Sequence, residues 1–281
     1  MKQNKFTKER TRTRTKEWAD KSINIGLGCA HGCKYCYAMD TARRFNRIPN
    51  SEAWATETVN TKALLKGYQS KGCIIMFPRT HDITPYYLPY AIETLKKILV
   101  GNKALIVSKP HLDCIETLCK ELADYKTQIL YRFTIGTMKP EVSKFWEPGA
   151  QLPAERLAAL RHAHLAGFAT SVSMEPMLGG VEAALETFHT VSPYVTDKIW
   201  LGKMNQRVKF MAPEDVAAFN RIKELQRDSE VLRLVSILGS NPKAAWKASI
   251  RKVLMKEMIS SLTDPEQILA AEIADMNYIR F

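Results

Sequence analysis

The feature that most constrains the fold of this chain is an alternation. Short apolar runs of strand length recur between helix-length segments from about residue 23 to about residue 238. Residues 23–27, 73–77, 104–107, 129–135, 168–174 and 198–201 read as strands, and 232–238 as a candidate seventh. Residues 89–100, 112–125, 153–166, 213–225 and 242–258 read as helices. The third of these begins at Pro153 and stops before Gly167, the asymmetry expected of helix ends. Strand, helix, strand at this pace implies βα units on a parallel sheet, hence an α/β fold. Six such units make a partial (β/α)6 barrel of the TIM type, with its chemistry at the C-terminal ends of the strands. The chain has 281 residues, enough for one large domain or two small ones, and 46% of them are apolar, so a substantial core is possible.

The expected strand ends are polar. They carry the loop from Cys29 to Cys36, then Pro78-Arg79-Thr80-His81-Asp82, then Ser108-Lys109-Pro110-His111. Gly136-Thr137, Glu175-Pro176 and Gly202-Lys203-Met204-Asn205 follow. Each group alone also reads as a turn or a helix cap; together they suit the mouth of a cofactor site. The loop is the sharpest signal. Cys29, Cys33 and Cys36 are spaced C-x3-C-x2-C, with Tyr35 and Tyr37 on either side of the last cysteine. Three thiolates on one loop can hold three irons of a [4Fe–4S] cube, leaving the fourth iron open to a ligand. Zinc usually needs four protein ligands, and the nearby His31 lies inside the loop. A disulfide framework does not suit a chain of this length with six cysteines and no signal peptide. Cys73, Cys114 and Cys119 lack compact ligand spacing, so no second cluster is expected.

The formal net charge is +12. Lys2, Lys5, Lys8, Arg10, Arg12, Arg14 and Lys16 crowd the first sixteen residues against Glu9. Such an arm can bind a nucleic-acid backbone through counterion release, or be a solvated tail; charge alone does not decide. Arg43-Arg44 with Arg47 reads either as a contact to a phosphorylated substrate or as an ordinary exposed helix face. No apolar run approaches the ~18 residues of a membrane span, and the basic N-terminus has no apolar segment behind it, so a cytoplasmic location is expected. The expected organisation is a flexible basic arm over 1–20, a barrel over 21–240 and a helical extension over 241–281 that packs on the barrel.

The cysteine loop resembles the signature of the radical S-adenosylmethionine (SAM) superfamily. Several further stretches resemble the spore photoproduct lyase subgroup: the paired tyrosines Tyr35 and Tyr37, Arg79-Thr80-His81-Asp82-Ile83, Arg132-Phe133-Thr134-Ile135-Gly136, and Phe145-Trp146-Glu147-Pro148-Gly149 followed by Glu155-Arg156-Leu157. The resemblance runs from about Ile23 to about Asn205. It implies a barrel of the radical SAM kind, a [4Fe–4S] cluster on Cys29, Cys33 and Cys36, and SAM chelated by the open iron. It implies Tyr35 near the adenine, Thr80 and Lys109 at the amino-acid end of SAM, Thr134 near the ribose and Tyr37 nearer the substrate. It also implies a one-electron reductant of the flavodoxin or ferredoxin type.

One departure matters. The lyase family has a hydrogen-donating cysteine where this chain has Arg79, and arginine offers no comparably weak bond to hydrogen. Arg79 reads either as a binder of an anionic substrate group or as a salt-bridge partner. The expected activity is reductive cleavage of SAM to a 5′-deoxyadenosyl radical, which takes a hydrogen atom from an unidentified substrate, anionic or nucleic acid. The alternative is a nucleic-acid-binding protein whose Fe–S or zinc site is structural.

Overall fold

The computed structural model describes residues 14–69, 71–204 and 211–261. The chain opens with β1 (Lys21–Ser22), β2 (Gly26–Leu27), α1 (Tyr37–Arg44), β3 (Thr58–Val59) and α2 (Thr61–Leu64). Next come β4 (Ile74–Phe77), α3 (Leu88–Leu99), β5 (Lys103–Ser108), α4 (Leu112–Glu121), β6 (Ile129–Thr134), α5 (Pro140–Trp146) and α6 (Pro153–Leu165). The remainder is β7 (Ala169–Met174), α7 (Val181–Val191), β8 (Ile199–Leu201), α8 (Pro213–Leu225), α9 (Asp228–Leu238), β9 (Ala244–Trp246) and α10 (Ala248–Ser261). Seven strands form one sheet in the order β1-β4-β5-β6-β7-β8-β9. Every neighbouring pair is parallel, with Phe77 beside Ile106, Val107 beside Arg132 and Thr134 beside Ser173. No helix among the described residues is long and apolar enough to cross a membrane.

Strand side chains alternate between faces, and here the alternation separates two cores. Ile75, Phe77, Ala104, Ile106, Tyr131, Phe133, Val172 and Met174 pack outward among the helices. Ile74, Met76, Leu105 and Leu130 point to the other face and enclose a smaller cluster. Ala19 and Trp18, from the segment before β1, fill that inner cluster. The sheet is therefore a partial barrel, open between its edge strands β1 and β9.

Residues 17–20 close part of that opening. The Asp20 N–H donates to the Ile74 carbonyl, and the Asp20 carboxylate accepts from the Ile74 N–H, both at 2.9 Å. Glu17 reaches the opposite edge, where Lys247 Nζ lies 2.7 Å from its carboxylate and Arg251 also pairs with it. Trp18 lies between two cations, with Lys247 Nζ 3.9 Å and Arg132 Cζ 4.6 Å from its ring.

Several sequence expectations change. The basic arm, expected to be flexible to residue 20, is built into the barrel over residues 14–20, because Trp18 and Ala19 have an inner core to fill and Glu17 has two cations to meet. Residues 1–13 lie outside the described residues. The run at 23–27 does not form one strand: the sheet strand is Lys21–Ser22, and Gly26–Leu27 pairs antiparallel with β3 instead. Glycine is required at 26, since a Cβ would collide with the Thr58 carbonyl and the Tyr87 ring. The candidate strand at 232–238 is helix α9, whose buried residues Val231, Leu234 and Leu238 follow helical spacing. The helix expected from 242 starts at 248. Before it, β9 takes up the open edge of β8, so the sheet continues past the expected barrel boundary at 240. Ile250 and Val253 of α10 bury in the outer core; residues 262–281, the rest of the expected C-terminal extension, lie outside the described residues.

Candidate functional site

The cysteine loop is shaped by backbone that only glycine permits. Gly28 has φ +94°, and a Cβ there would collide with the Thr56 carbonyl. The Cys29 N–H donates to the Trp54 carbonyl at 2.8 Å. The turn after α5 grips the loop from the other side: Lys34 N–H donates to the Trp146 carbonyl and Gly149 N–H to the His31 carbonyl, each at 2.9 Å. Gly149 allows this approach, because a Cβ there would meet the Ala30 carbonyl. Cys36 then starts α1 as its N-cap, its sulfur accepting from the Met39 N–H at 3.4 Å.

Cys29 and Cys33 are buried and Cys36 is half-buried. Burial pushes all three thiols up, Cys33 to about 12, while Lys109 opposes the rise at Cys33 and Cys36. Two buried thiols and a half-buried one, crowded on one loop, are a poor arrangement for free cysteines and a suitable one for a cationic centre that takes thiolates. The donor set therefore fits three irons of a cluster. Cys29, His31 and Asp82 also place ligand atoms within 4.8 Å of one another. Both nitrogens of His31 are engaged, however: Nδ1 with Asp82 at 2.8 Å and Nε2 with His111 Nε2 at 3.0 Å.

Beside the loop runs a chain of buried charges. The Lys109 ammonium stands 3.9 Å from both the Asp82 and the Glu147 carboxylates. The Asp82 carboxylate also accepts from the Lys109 backbone N–H at 2.8 Å. Burial opposes the Asp82 charge, but Lys109 and His31 outweigh it and hold that carboxyl well below its usual range. Burial likewise opposes the Lys109 charge, yet Cys33, Tyr35, Asp82 and Glu147 raise its pKa well above the ordinary lysine value. Glu147 is paired with Arg156 at 2.6 Å, and Arg156 reaches the Thr134 carbonyl at 3.3 Å. Burial and the neighbouring Glu147 push the Tyr35 phenol upward, and its hydroxyl donates to Glu147.

The nine residues that the sequence points to fall around this chain. Tyr35 and Lys109 meet through Glu147 and through a cation–π contact of 5.6 Å. Tyr37 and Arg79 meet at the rim, the Tyr37 hydroxyl donating to the Arg79 carbonyl at 2.5 Å. Thr80 follows Arg79, and both backbone N–H groups donate to Asn24 at 2.8 Å. Thr134 closes β6 and joins through its carbonyl. Neither the Thr80 nor the Thr134 hydroxyl forms a hydrogen bond among the described residues. Asn24, Asp82, Glu147 and Arg156 carry no role that sequence reasoning assigns. Asp82 and Glu147 stand inside the stretches that resemble the lyase subgroup, each next to an apolar or aromatic residue, a faint sign of burial; nothing marks Asn24.

The model of the radical SAM superfamily matches residues 23–189. An uncharacterized protein, ORF301 of Acidianus two-tailed virus, is 28% identical over 175 residues, 57% of this chain and 56% of that protein. The chain thus spans about half the length of this curated relative. Among solved structures, a tyrosine-to-phenylalanine mutant of spore photoproduct lyase matches with TM-score 0.56 at 15% identity, covering 88% of this chain and 79% of that one. A double mutant of the same lyase, with bound AdoMet and dinucleoside spore photoproduct, matches with TM-score 0.54 at 16% identity over 87% and 79%. At these identities the likeness is one of fold.

Proposed function

Since this chain belongs to the radical SAM superfamily and is an enzyme of that class, we propose that Cys29, Cys33 and Cys36 hold a [4Fe–4S] cluster whose open iron takes SAM. Bound there and reduced by one electron, that pair supplies a 5′-deoxyadenosyl radical able to take a hydrogen atom from a substrate. The observation that carries this reading is the gathering of three thiols, two buried and one half-buried, on one loop clamped by backbone bonds from Trp54, Trp146 and Gly149. The residues around the loop suit the amino-acid end of SAM: Lys109 provides a cation for its carboxylate, and Asp82 and Glu147 hold that cation in place. The hydroxyls of Thr80 and Thr134 are free to bond a ligand, and Tyr35 presents a ring beside them.

Substrate binds at the rim, where Tyr37 is 50% exposed and Arg79 is exposed. An arginine there favours a substrate with an anionic group. One of the lyase structures holds a dinucleoside spore photoproduct, but on our reading this enzyme does not repair that lesion. Arg79 replaces the hydrogen-donating thiol, and no other cysteine supports that role. Cys73 precedes β4, at the opposite end of the barrel, and Cys114 and Cys119 lie on α4. Nucleic acid is one such anionic substrate, and the seven cations within residues 1–16 suit its backbone.

Anaerobic reconstitution tests the reading. The protein should hold close to four irons per chain, and Cys29→Ala, Cys33→Ala or Cys36→Ala should each abolish them. Stoichiometric zinc in place of iron sinks it. Deleting residues 1–13 should lower affinity for an oligonucleotide and flatten its salt dependence. Efficient conversion of a dimer-containing oligonucleotide back to thymines would overturn the substrate reading alone.

A further inference from the structure

Residues 41–51 contain Arg43, Arg44 and Arg47 and no acid. Arg44, Phe45 and Arg47 are exposed, Phe45 by 60%. The Arg44 and Arg47 guanidinium carbons lie 5.6 and 5.9 Å from the Phe45 ring. The group is held on a fixed turn. Asn46 takes φ +53°, and the Arg47 N–H donates to the Ala42 carbonyl at 2.8 Å, closing the end of α1. Asp40 and Glu52 flank the patch. Two arginines in the last turn complement the helix dipole, but that accounts for neither Arg47 nor an exposed aromatic ring between two guanidinium groups.

What sets this patch apart is what lies beneath it. The same helix begins at Cys36, and its eight residues span about 12 Å at 1.5 Å per residue. Its buried side, Ala38, Met39 and Ala42, packs with Cys29, Ile48 and Trp54 in one apolar cluster. This packed layer joins Cys29 and Cys36 to α1, and Phe45 caps the far end of the same helix. The other side of the loop faces Asp82, Lys109 and Glu147, where SAM and substrate belong. An electron carrier has to reach the cluster without displacing them, and the outer end of α1 is such a route.

We infer that Arg44, Phe45 and Arg47 form the docking surface for a small acidic protein carrying a flavin or an iron–sulfur centre, which delivers one electron to the cluster on the cysteine loop. This rests on the cluster reading above. The donor is oxidised by one electron and the cluster reduced by one; no bond forms or breaks and no proton moves. The arginines steer the acidic partner, so their effect falls on the rate of encounter and is screened by salt.

The test measures 5′-deoxyadenosine made from SAM by the reconstituted enzyme, reduced either by dithionite or by an acidic flavodoxin with its reductase. The double variant Arg44→Glu, Arg47→Glu should lose at least about tenfold in the flavodoxin-driven rate, keep the dithionite-driven rate and iron content, and lose the salt dependence seen in the wild type. The double variant Arg44→Lys, Arg47→Lys should retain most of the flavodoxin-driven rate. Equal flavodoxin-driven rates in wild type and charge-reversed enzyme overturn the inference. An equal loss with dithionite also overturns it, by placing the patch in support of the cluster. So does an unchanged flavodoxin rate with lost oligonucleotide affinity, which assigns the surface to nucleic acid. Wild-type enzyme that makes no 5′-deoxyadenosine with dithionite removes the cluster reading itself, a result distinct from the others.

Discussion

At the strand ends, Asp82, Lys109, Glu147 and Arg156 form one chain of buried charges; along the open edge of the barrel, Arg251, Glu17, Lys247 and Glu175 form another, beside the pair Arg132–Asp197. Both use acids and bases in near balance, as buried charge must. They differ in what covers them. The edge network is roofed by the indoles of Trp18 and Trp200, with Arg132 Cζ 4.6 and 5.2 Å from the two rings. Its ion pairs join the first packed segment of the chain to the last strand and helix. The strand-end network instead borders the thiol loop, two threonine hydroxyls without partners among the described residues, and an exposed rim of Tyr37 and Arg79. Buried charge in itself marks neither stability nor chemistry. Charge beside a thiol loop and an open rim marks a candidate site, and charge covered by aromatic rings marks a seam, even though Arg132 Nη1 and both indole N–H groups there lack hydrogen-bond partners among the described residues.

The largest expected effect separates the two. Glu17 is 2% exposed and is shared by Lys247 and Arg251. Glu17→Ala removes the carboxylate that both cations share, Lys247 keeping Glu175 at 3.2 Å, and should cost about 3 kcal/mol of stability, the low end for breaking a buried pair, read from urea unfolding of the iron-loaded protein. SAM affinity measured below the unfolding transition should not change. A variant as stable as wild type, or one that binds SAM more weakly while folded, would break the comparison.

A smaller effect is expected at the strand ends. Lys109→Ala and Thr80→Ala should each weaken SAM binding by roughly 1.5–3 kcal/mol, about tenfold or more, with iron content intact. Isothermal titration against the reconstituted protein reads this directly. Unchanged affinity in both variants would leave the strand-end charges as structural as those at the edge.

The smallest expected effect is on pH dependence. Burial holds His111 down to about 4, with His31 adding to the depression, and burial also lowers His81. An unfolded histidine titrates near 6.5. Between these values the unfolded chain binds more protons, so the stability from neutral histidines is present above about pH 6.5 and is lost as pH falls toward 4. The edge network contains no histidine and should not contribute to that slope. His111→Gln should flatten the dependence of the urea midpoint between pH 7 and pH 5, and an unaltered slope would show that His111 titrates normally in the folded protein.

Much of the fold and the loop is legible in the sequence. The apolar runs at 73–77 and 104–107 are β4 and β5, and the proline and glycine bracketing α6 mark its ends. The spacing of the three cysteines on one loop points to a cluster. Asn24, Asp82 and Glu147 are harder, because a single polar residue looks the same in sequence whether it is solvated or buried beside a lysine. Two segments near the C-terminus mislead for a related reason. Residues 232–238 carry enough β-branched and aliphatic residues to suit either period, and three residues, 244–246, form a strand only because β8 offers them an unpaired edge.

The sequence by itself determined the parallel βα order and the close spacing of the three cysteines, because both are written in local pattern; the departure at Arg79 is what the resemblance to the lyase subgroup implies. Tertiary structure alone decided that residues 17–20 close the barrel, that the chain's last described strand completes the sheet, and which acids surround Lys109. These depend on groups far apart in the chain: Glu17 and Lys247 are 230 residues apart. No local pattern encodes a charge whose partner exists only once the barrel has folded and water has been excluded from between them.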